Sequence, residues 1–539
     1  MGFTVRDVFA RQAERLWGAV ERFEARSARR LDWIAAGAVL LGLLGRFSIA
    51  WRSYLNPDEA WHSLLANASG LVALWAESAR STHPPGLIFI VHFLKRFGTS
   101  EPLLRSVSVL AGAAAAWFVY RWLSARGDRA GAVSAAVMLA LSPMLMGLHA
   151  QVRGYALATA LAAASLWLLE TAVARDSALR LAGYALLAAL AVLTEYPAAF
   201  LLPAAAFYSW VLLCEPGRGR RMKLAWFAVQ FLLAALCLSL YYSHVVHAAK
   251  WRASLEYLAR WLAPYLPREG EDSIVFALRG TFGQFRFLIP SIPSAAAGMA
   301  LGAGVLFMWL WTFSRRSLAN VFLFLLPFAA AFAAALLRLH PYGMTRQTSV
   351  LAIFTAGSVG LALQRLFRQR LLPAGLAAVL FAAPWQVAKF RDWNNVPWER
   401  NRRKDMARAV DYLRTRIPAG AAVVTDAETR LTMAAYLEPE RPFPELEALP
   451  ATQTIGGLTW FAARWSFAGG SDLVADIAAF RERHPDWSGP LYLADGGFVT
   501  VACTAAQGRP GLRRIREFGG ALCLLEVEPA GEAPQPGSL

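Results

Sequence analysis

The chain has 539 residues, of which 57% are hydrophobic and only 17% charged, with 20 Trp and 32 Phe. That balance excludes a water-soluble enzyme and a disordered scaffold, and four Cys in such a length exclude a disulfide framework, which leaves a polytopic membrane protein. The formal charge of +17 is uneven: residues 389–539 carry 18 Lys and Arg against 19 Asp and Glu, so the basic excess belongs to the hydrophobic part, where it fits topology and head-group contact better than polynucleotide binding.

Residues 1–30 are charged and amphipathic, with no apolar core or small-residue cleavage site of a signal peptide, so they read as a cytoplasmic N-terminus ahead of an uncleaved anchor. Crossing the hydrocarbon takes about 20 mostly apolar residues. Eleven such spans are expected, near 32–50, 102–123, 130–150, 154–173, 179–194, 196–214, 224–246, 290–313, 318–337, 347–365 and 371–388, making 31–388 a transmembrane catalytic domain. With the N-terminus inside, the loops holding Arg121–Arg129, Arg175 and Arg180, Arg218–Lys223, Arg315 with Arg316, and Arg365–Arg370 all fall on the cytoplasmic side. Segments 51–101, 247–289 and 389–539 are then outside. Within the first, the apolar stretch 85–97 is too short to span and is expected to lie along the outer interface, with 51–75 as amphipathic neighbours.

After 388 the composition turns polar. A helix over 404–417, with Met406, Val410, Leu413 and Ile417 on one face, and strands at 421–425, 490–494, 498–503 and 521–527 predict a small periplasmic α/β domain over 389–528, followed by a loose Pro/Gly-rich tail, 529–539. Cys503 and Cys523 fall in it, where an oxidising compartment would permit a disulfide, while Cys214 and Cys237 read as packing residues in spans.

Ionisable groups near membrane depth are expensive, so their grouping on one face marks the site to examine. The first outer loop holds Asn56-Pro57-Asp58-Glu59 and, later, Thr82-His83-Pro84-Pro85; Arg105, His149, Arg153, Tyr155, Glu195, His244, Arg338, His340, Tyr342 and Arg346 fall on the same side. A carboxylate can take a proton from an acceptor hydroxyl or amine while guanidinium groups hold a departing phosphate. Asp58 is equally the residue type that caps a helix, and Arg153 the type that snorkels to head groups. There is no phosphate-binding glycine loop, dinucleotide fingerprint or Asp-x-Asp pair, which favours a lipid-linked donor over a nucleotide sugar.

Asn56-Pro57-Asp58-Glu59, His83-Pro84-Pro85-Gly86, Glu101 to Arg105, Gln151-Val152-Arg153-Gly154-Tyr155 and His340-Pro341-Tyr342 to Arg346 together resemble family 39-like glycosyltransferases, the bacterial relatives of dolichyl-phosphate-mannose protein mannosyltransferases and of the lipid A aminoarabinose transferase. The resemblance covers about 30–370 and, more loosely, the outer domain. It implies a polytopic α-helical GT-C fold and inverting transfer of a sugar from a polyprenyl phosphate, such as undecaprenyl phosphate, to an envelope lipid, glycan or protein at a bacterial inner membrane. Asp58 then stands as the catalytic base and Glu59 as an assisting carboxylate or metal ligand. His83, Arg153, Tyr155, Arg346, His340, Arg105 and Glu195 stand as candidates for binding donor phosphate or sugar. Relatives differ in using a divalent metal; here the cofactor stays open, with Glu59 and His83 as candidate ligands. A flippase for lipid-linked sugars is the rival reading, expected to show charges through the bilayer depth, and a structural assembly protein would leave the Asp58 cluster without purpose.

Overall fold

The computed structural model describes residues 30–80, 84–246, 262–289, 302, 315–367, 402–442, 449–466, 470–496, 509 and 511–528. The expected spans at 290–313 and 371–388, residue His83, the strand at 498–503 and both chain ends lie outside them. Among the described residues seven helices are long and apolar enough to cross a membrane: Arg30–Arg52 (α1), Glu101–Ala125 (α5), Tyr155–Ala174 (α8), Tyr196–Leu213, Arg220–Val245, Leu318–Leu336 and Arg346–Arg365. Ala178–Thr194 (α9) is apolar but shorter.

The expected span at 130–150 is not one helix. Arg129–Leu141 (α6) stops before Pro143, and Pro143–Leu148 (α7) begins anew. Pro143 has no N–H for the Leu139 carbonyl. The guanidinium of Arg46, fully buried on α1, takes over that end of α6 by donating to Leu139 O at 2.9 Å and Ala140 O at 2.8 Å. Elsewhere small residues let the helices approach: a Cβ on Gly360 would lie 2.3 Å from the Gly131 carbonyl, so helix Ala352–Phe367 touches α6 backbone to backbone.

The two faces of the bundle differ. At one, Arg126 donates to Glu170 (3.1 Å) and Tyr208 (2.8 Å), Tyr208 donates to Glu170 (2.5 Å), and Arg126 also reaches Asn320, tying together helix ends whose loops carry the Arg-rich runs. At the other lie Pro57–Leu65 (α2), Leu71–Arg80 (α3) and Pro85–Leu94 (α4), which pack on one another and on the start of α5 through Leu65, Leu74, Leu87, Ile88, Val91 and Leu104.

The C-terminal part is a six-stranded sheet in the order β2-β3-β1-β4-β6-β5, with β1 (Ala422–Thr425) parallel to β3 (Leu458–Ala462) and β4 (Leu491–Gly496). The other pairings, with β2 (Ala451–Ile455), β5 (Leu512–Phe518) and β6 (Leu522–Val527), are antiparallel. Helix Arg403–Arg416 takes the place expected for 404–417, whereas β2, β3 and β5 went unpredicted. Cys523, in β6, is disulfide-bonded. The sheet domain shares its core with the membrane domain: Tyr54, Ala60 and Leu64 are buried in one cluster with Met406, Leu431 and Trp460, and Trp61 stacks on Trp465 at 5.9 Å. Tyr436 seals the joint, its hydroxyl accepting from Leu55 N at 2.7 Å and donating to Glu101 at 3.0 Å; Arg403 pairs with the other oxygen of Glu101 at 2.9 Å. Burial and the Glu101 carboxylate both raise the Tyr436 phenol well above its ordinary range, so it remains a donor.

Tyr436→Phe strands the Leu55 N–H and removes one bond to Glu101, a loss of about 1–3 kcal/mol. Thermal unfolding of the detergent-solubilised variant is expected to show a lower Tm than wild type; an unchanged Tm would mean that this joint does not hold the two parts together.

Candidate functional site at one end of the bundle

The site is built around the first turn of α2. Asn56 is the N-cap: its side chain accepts from Glu59 N at 3.0 Å, and the Glu59 carboxylate accepts from Asn56 N at 3.1 Å, a reciprocal capping box with Pro57 at the first helical position. The helix end is thus satisfied by Asn56 and Glu59, and Asp58 is not needed as a cap. Glu59 is buried. Its two oxygens also receive the fork of Arg105, Nε at 2.7 Å and Nη2 at 2.6 Å, and Val152 N at 2.8 Å. Arg105 spends its remaining donors on Ala50 O, Ser53 O and Tyr54 O at 2.7–3.0 Å, so its guanidinium is saturated too.

Asp58 is turned elsewhere. Its Oδ2 meets Arg153 Nη1 at 3.0 Å and Arg346 Nη1 at 2.6 Å, and its side chain is 25% exposed where both arginines are under 10%, so it is the most exposed of the three side chains. Arg153 also donates to Tyr155 Oη at 2.8 Å and lies 5.1 Å over that ring. Burial works against its charge, but Asp58, Tyr155 and Glu195 outweigh that and hold it more firmly protonated than a free arginine. Arg346 opens a tight turn, Arg346–Leu351, whose Thr348 accepts from Gln284 at 2.6 Å, while the preceding Tyr342 hydrogen-bonds Thr281 (2.6 Å) and packs on Gly280. Helix Ser273–Leu288 therefore sets the position of Arg346.

Glu195 joins this group from the junction of α9 with the turn Tyr196–Phe200. A Cβ on Gly154 would lie 2.6 Å from Glu195 Oε1, so only glycine after Arg153 leaves the acid room. Burial pushes its carboxyl up to about 7, against the pull of Arg153 and Arg346.

His62 was missed in the sequence. It follows Asp58 by four residues on the same helical face, the one signal available, and its Nδ1–H donates to the Asp58 carbonyl at 2.7 Å. Burial, then Arg153, lowers its pKa to about 3, so the imidazole is neutral. His340 does not join the cluster among the described residues. It packs edge-on against Phe200 at 5.2 Å, and burial lowers its pKa to about 4. His83 lies outside the described residues. Those described do not offer a metal site: no three His, Cys, Asp or Glu side chains converge, the Glu59 oxygens are occupied by N–H donors, and Asp58 is committed to two guanidinium groups.

Fold and site together define a multi-pass membrane protein presenting a carboxylate between two guanidinium groups at one end of its bundle. Residues 82–245 match the sequence profile of dolichyl-phosphate-mannose-protein mannosyltransferases. No curated protein matches significantly in sequence. Among solved structures, the chain is similar to the archaeal oligosaccharyltransferase AglB from Archaeoglobus fulgidus, in complex with an inhibitory peptide and a dolichol-phosphate, over 94% of this chain and 75% of that one, with a TM-score of 0.50 and 13% identity. It is similar to ArnT from Cupriavidus metallidurans bound to undecaprenyl phosphate over 92% of this chain and 98% of that one, again with a TM-score of 0.50 and 13% identity. The fold is that of the GT-C glycosyltransferases.

Glu59→Ala leaves Arg105 as a buried, uncompensated charge, which costs about 3–5 kcal/mol. The variant is expected to be poorly folded, seen as early-eluting or aggregated material on size exclusion in detergent. A monodisperse Glu59→Ala protein with wild-type Tm would contradict the structural assignment of this ion pair.

Proposed function

We propose that the protein is an integral-membrane glycosyltransferase that moves a sugar from a polyprenyl-phosphate donor to an envelope lipid, glycan or protein, with inversion, at the outer face of a bacterial inner membrane. The observation that carries this reading is Asp58 between Arg153 and Arg346, three residues from separate elements, of which Asp58 is the most exposed. Both neighbours in fold hold a polyprenyl phosphate, which makes a phosphate the natural third party for this pair of arginines. The Arg-rich loops on the opposite face support an outside location for the site and the sheet domain.

In this reading Arg153 and Arg346 grip the donor phosphodiester, and the Tyr155 hydroxyl and ring keep Arg153 in place. Asp58 accepts the proton of the acceptor hydroxyl or amine as that group attacks the anomeric carbon on the side away from the phosphate. The bond from carbon to phosphate oxygen breaks with its electron pair going to phosphate, and the configuration inverts. Glu59 and Arg105 are positioning residues, since all their polar atoms serve to hold α2. His83, by resemblance, stands near the lipid phosphate.

Asp58→Asn preserves the shape of the side chain and removes the base, so kcat is expected to fall by about 10²–10⁴ while donor binding persists. The check is transfer from radiolabelled polyprenyl-phosphate sugars to an envelope lipid and protein extract, wild type beside variant. Equal transfer by both would move the base away from Asp58, and donor movement across liposome bilayers without transfer would favour a flippase.

A further inference from the structure

We infer that Glu195 is the proton donor to the departing polyprenyl phosphate, a second catalytic carboxyl with a role opposite to that of Asp58. The inference rests on the glycosyltransferase reading and adds a step to it.

The backbone at Glu195 is held on both sides. Its N–H bonds Ala191 O at 2.9 Å, closing α9, and its carbonyl accepts from Ala198 N at 3.0 Å, opening the next turn. The side chain is thereby aimed at the backbone of Gly154, next to Arg153, and its charge is felt by Arg153, Tyr155 and Arg346. It is half-buried, and it makes no hydrogen bond or ion pair with any described residue. An acid placed beside two arginines and bonded to neither is available to a ligand that those arginines hold. The other charged and titratable groups round the junction are Asp58 and His62 on α2, His244, whose Nδ1 lies 2.9 Å from the Tyr196 hydroxyl, and His340 against Phe200.

Where the new charge forms gives this acid its task. Asp58 neutralises one of the two arginines, so with Glu195 protonated the cluster carries one positive charge, which matches a phosphodiester. Breaking the carbon–oxygen bond puts a second negative charge on the phosphate, while the acceptor proton removes the charge of Asp58, so the net charge of the site is unchanged but the new charge sits on the departing oxygen. A proton from Glu195 takes it off that oxygen: the acceptor proton goes to Asp58, the bond electrons go to the phosphate oxygen, and the Glu195 proton goes to that phosphate. Asp58 then releases its proton to water and Glu195 takes one up, which restores the resting state. A phosphate monoester has its second pKa at about 6. The carboxyl at about 7 is therefore closely matched to the group it protonates, the condition under which proton transfer costs least.

The experiment compares wild type, Glu195→Gln and Glu195→Asp, each first shown to elute as a folded species in detergent. It measures binding of polyprenyl phosphate and transfer rates between about pH 5.5 and 9. The wild-type rate should decline as pH rises through and above about 7, because the donor form is lost there. Glu195→Gln, neutral and of the same shape, should bind the lipid phosphate within about threefold of wild type, lose about 10²-fold in kcat and no longer show the alkaline decline. Glu195→Asp should retain more activity than the Gln variant and keep the decline. Wild-type kcat with an unchanged pH profile in Glu195→Gln would overturn the inference while leaving the transferase reading intact; so would weakened binding with kcat preserved. Absence of transfer by the wild type itself would take both down together.

Discussion

The buried ion pair of Glu59 with Arg105 is the contact on which the site end of the molecule depends. It joins α2 to the start of α5, and through the remaining donors of Arg105 it also fixes the chain from Ala50 to Tyr54, where α1 leaves the bundle. The second oxygen contact, to Val152 N, places the loop that carries Arg153. A carboxylate in a place this dry is tolerable only because every lone pair direction meets a donor, and those donors come from three pieces of the site, Asn56, Arg105 and Val152. The same residue that closes the capping box therefore sets the distance between Asp58 and one of its two arginines.

Adjacent acids in sequence look interchangeable, and only the structure tells Asp58 and Glu59 apart. In a helix successive side chains are turned by about 100°, so two neighbours cannot serve one ligand from the same face. Once Asn56 starts the helix, Glu59 is directed to the cap and Arg105, and Asp58 to Arg153 and Arg346. Asp58, Arg153, Tyr155 and Arg346 were legible because charged groups grouped at one membrane face are scarce. His340 had the same credentials in the sequence, yet a tight turn points it to Phe200 rather than to Asp58. His62 carried only a four-residue spacing, too common a pattern to single out. The long apolar runs announced most spans by composition alone, whereas the break at Pro143 needed the residue's missing N–H to be taken literally. The edge strands β2 and β5 and the strand β3 escaped because short strands with mixed polarity carry little period-2 signal.

The sheet domain is a participant in the site's architecture, since α2 has two apolar commitments. Ala60 and Leu64 lie in the domain's own core, and Leu65 and Ala66 lie in the cluster with α3 and α4. A helix gripped on two sides, and capped at its start, has no freedom to rotate its remaining face, which is the one bearing Asp58 and His62. The neutral imidazole adds to this by donating to the Asp58 carbonyl one turn back. Rigid support of this kind is what the base role proposed for Asp58 requires, with its geometry set by folding rather than during the reaction.

The pairing of Asp58 with two guanidinium groups has a consequence for how base strength is set. Beside Arg153 and Arg346 a carboxylate is a poor proton acceptor, because both positive charges favour its ionised form. In the proposed reaction a phosphodiester held by the same arginines would share their charge and supply a negative one of its own, and each change would raise the proton affinity of Asp58. The acid beside them, Glu195, would respond to the same charge in the same direction and hold its proton more firmly while the phosphodiester is bound. On this proposal the two carboxyls are tuned together by one phosphate: the donor's arrival makes Asp58 the better base, and Glu195 keeps its proton until the phosphate gains its second charge.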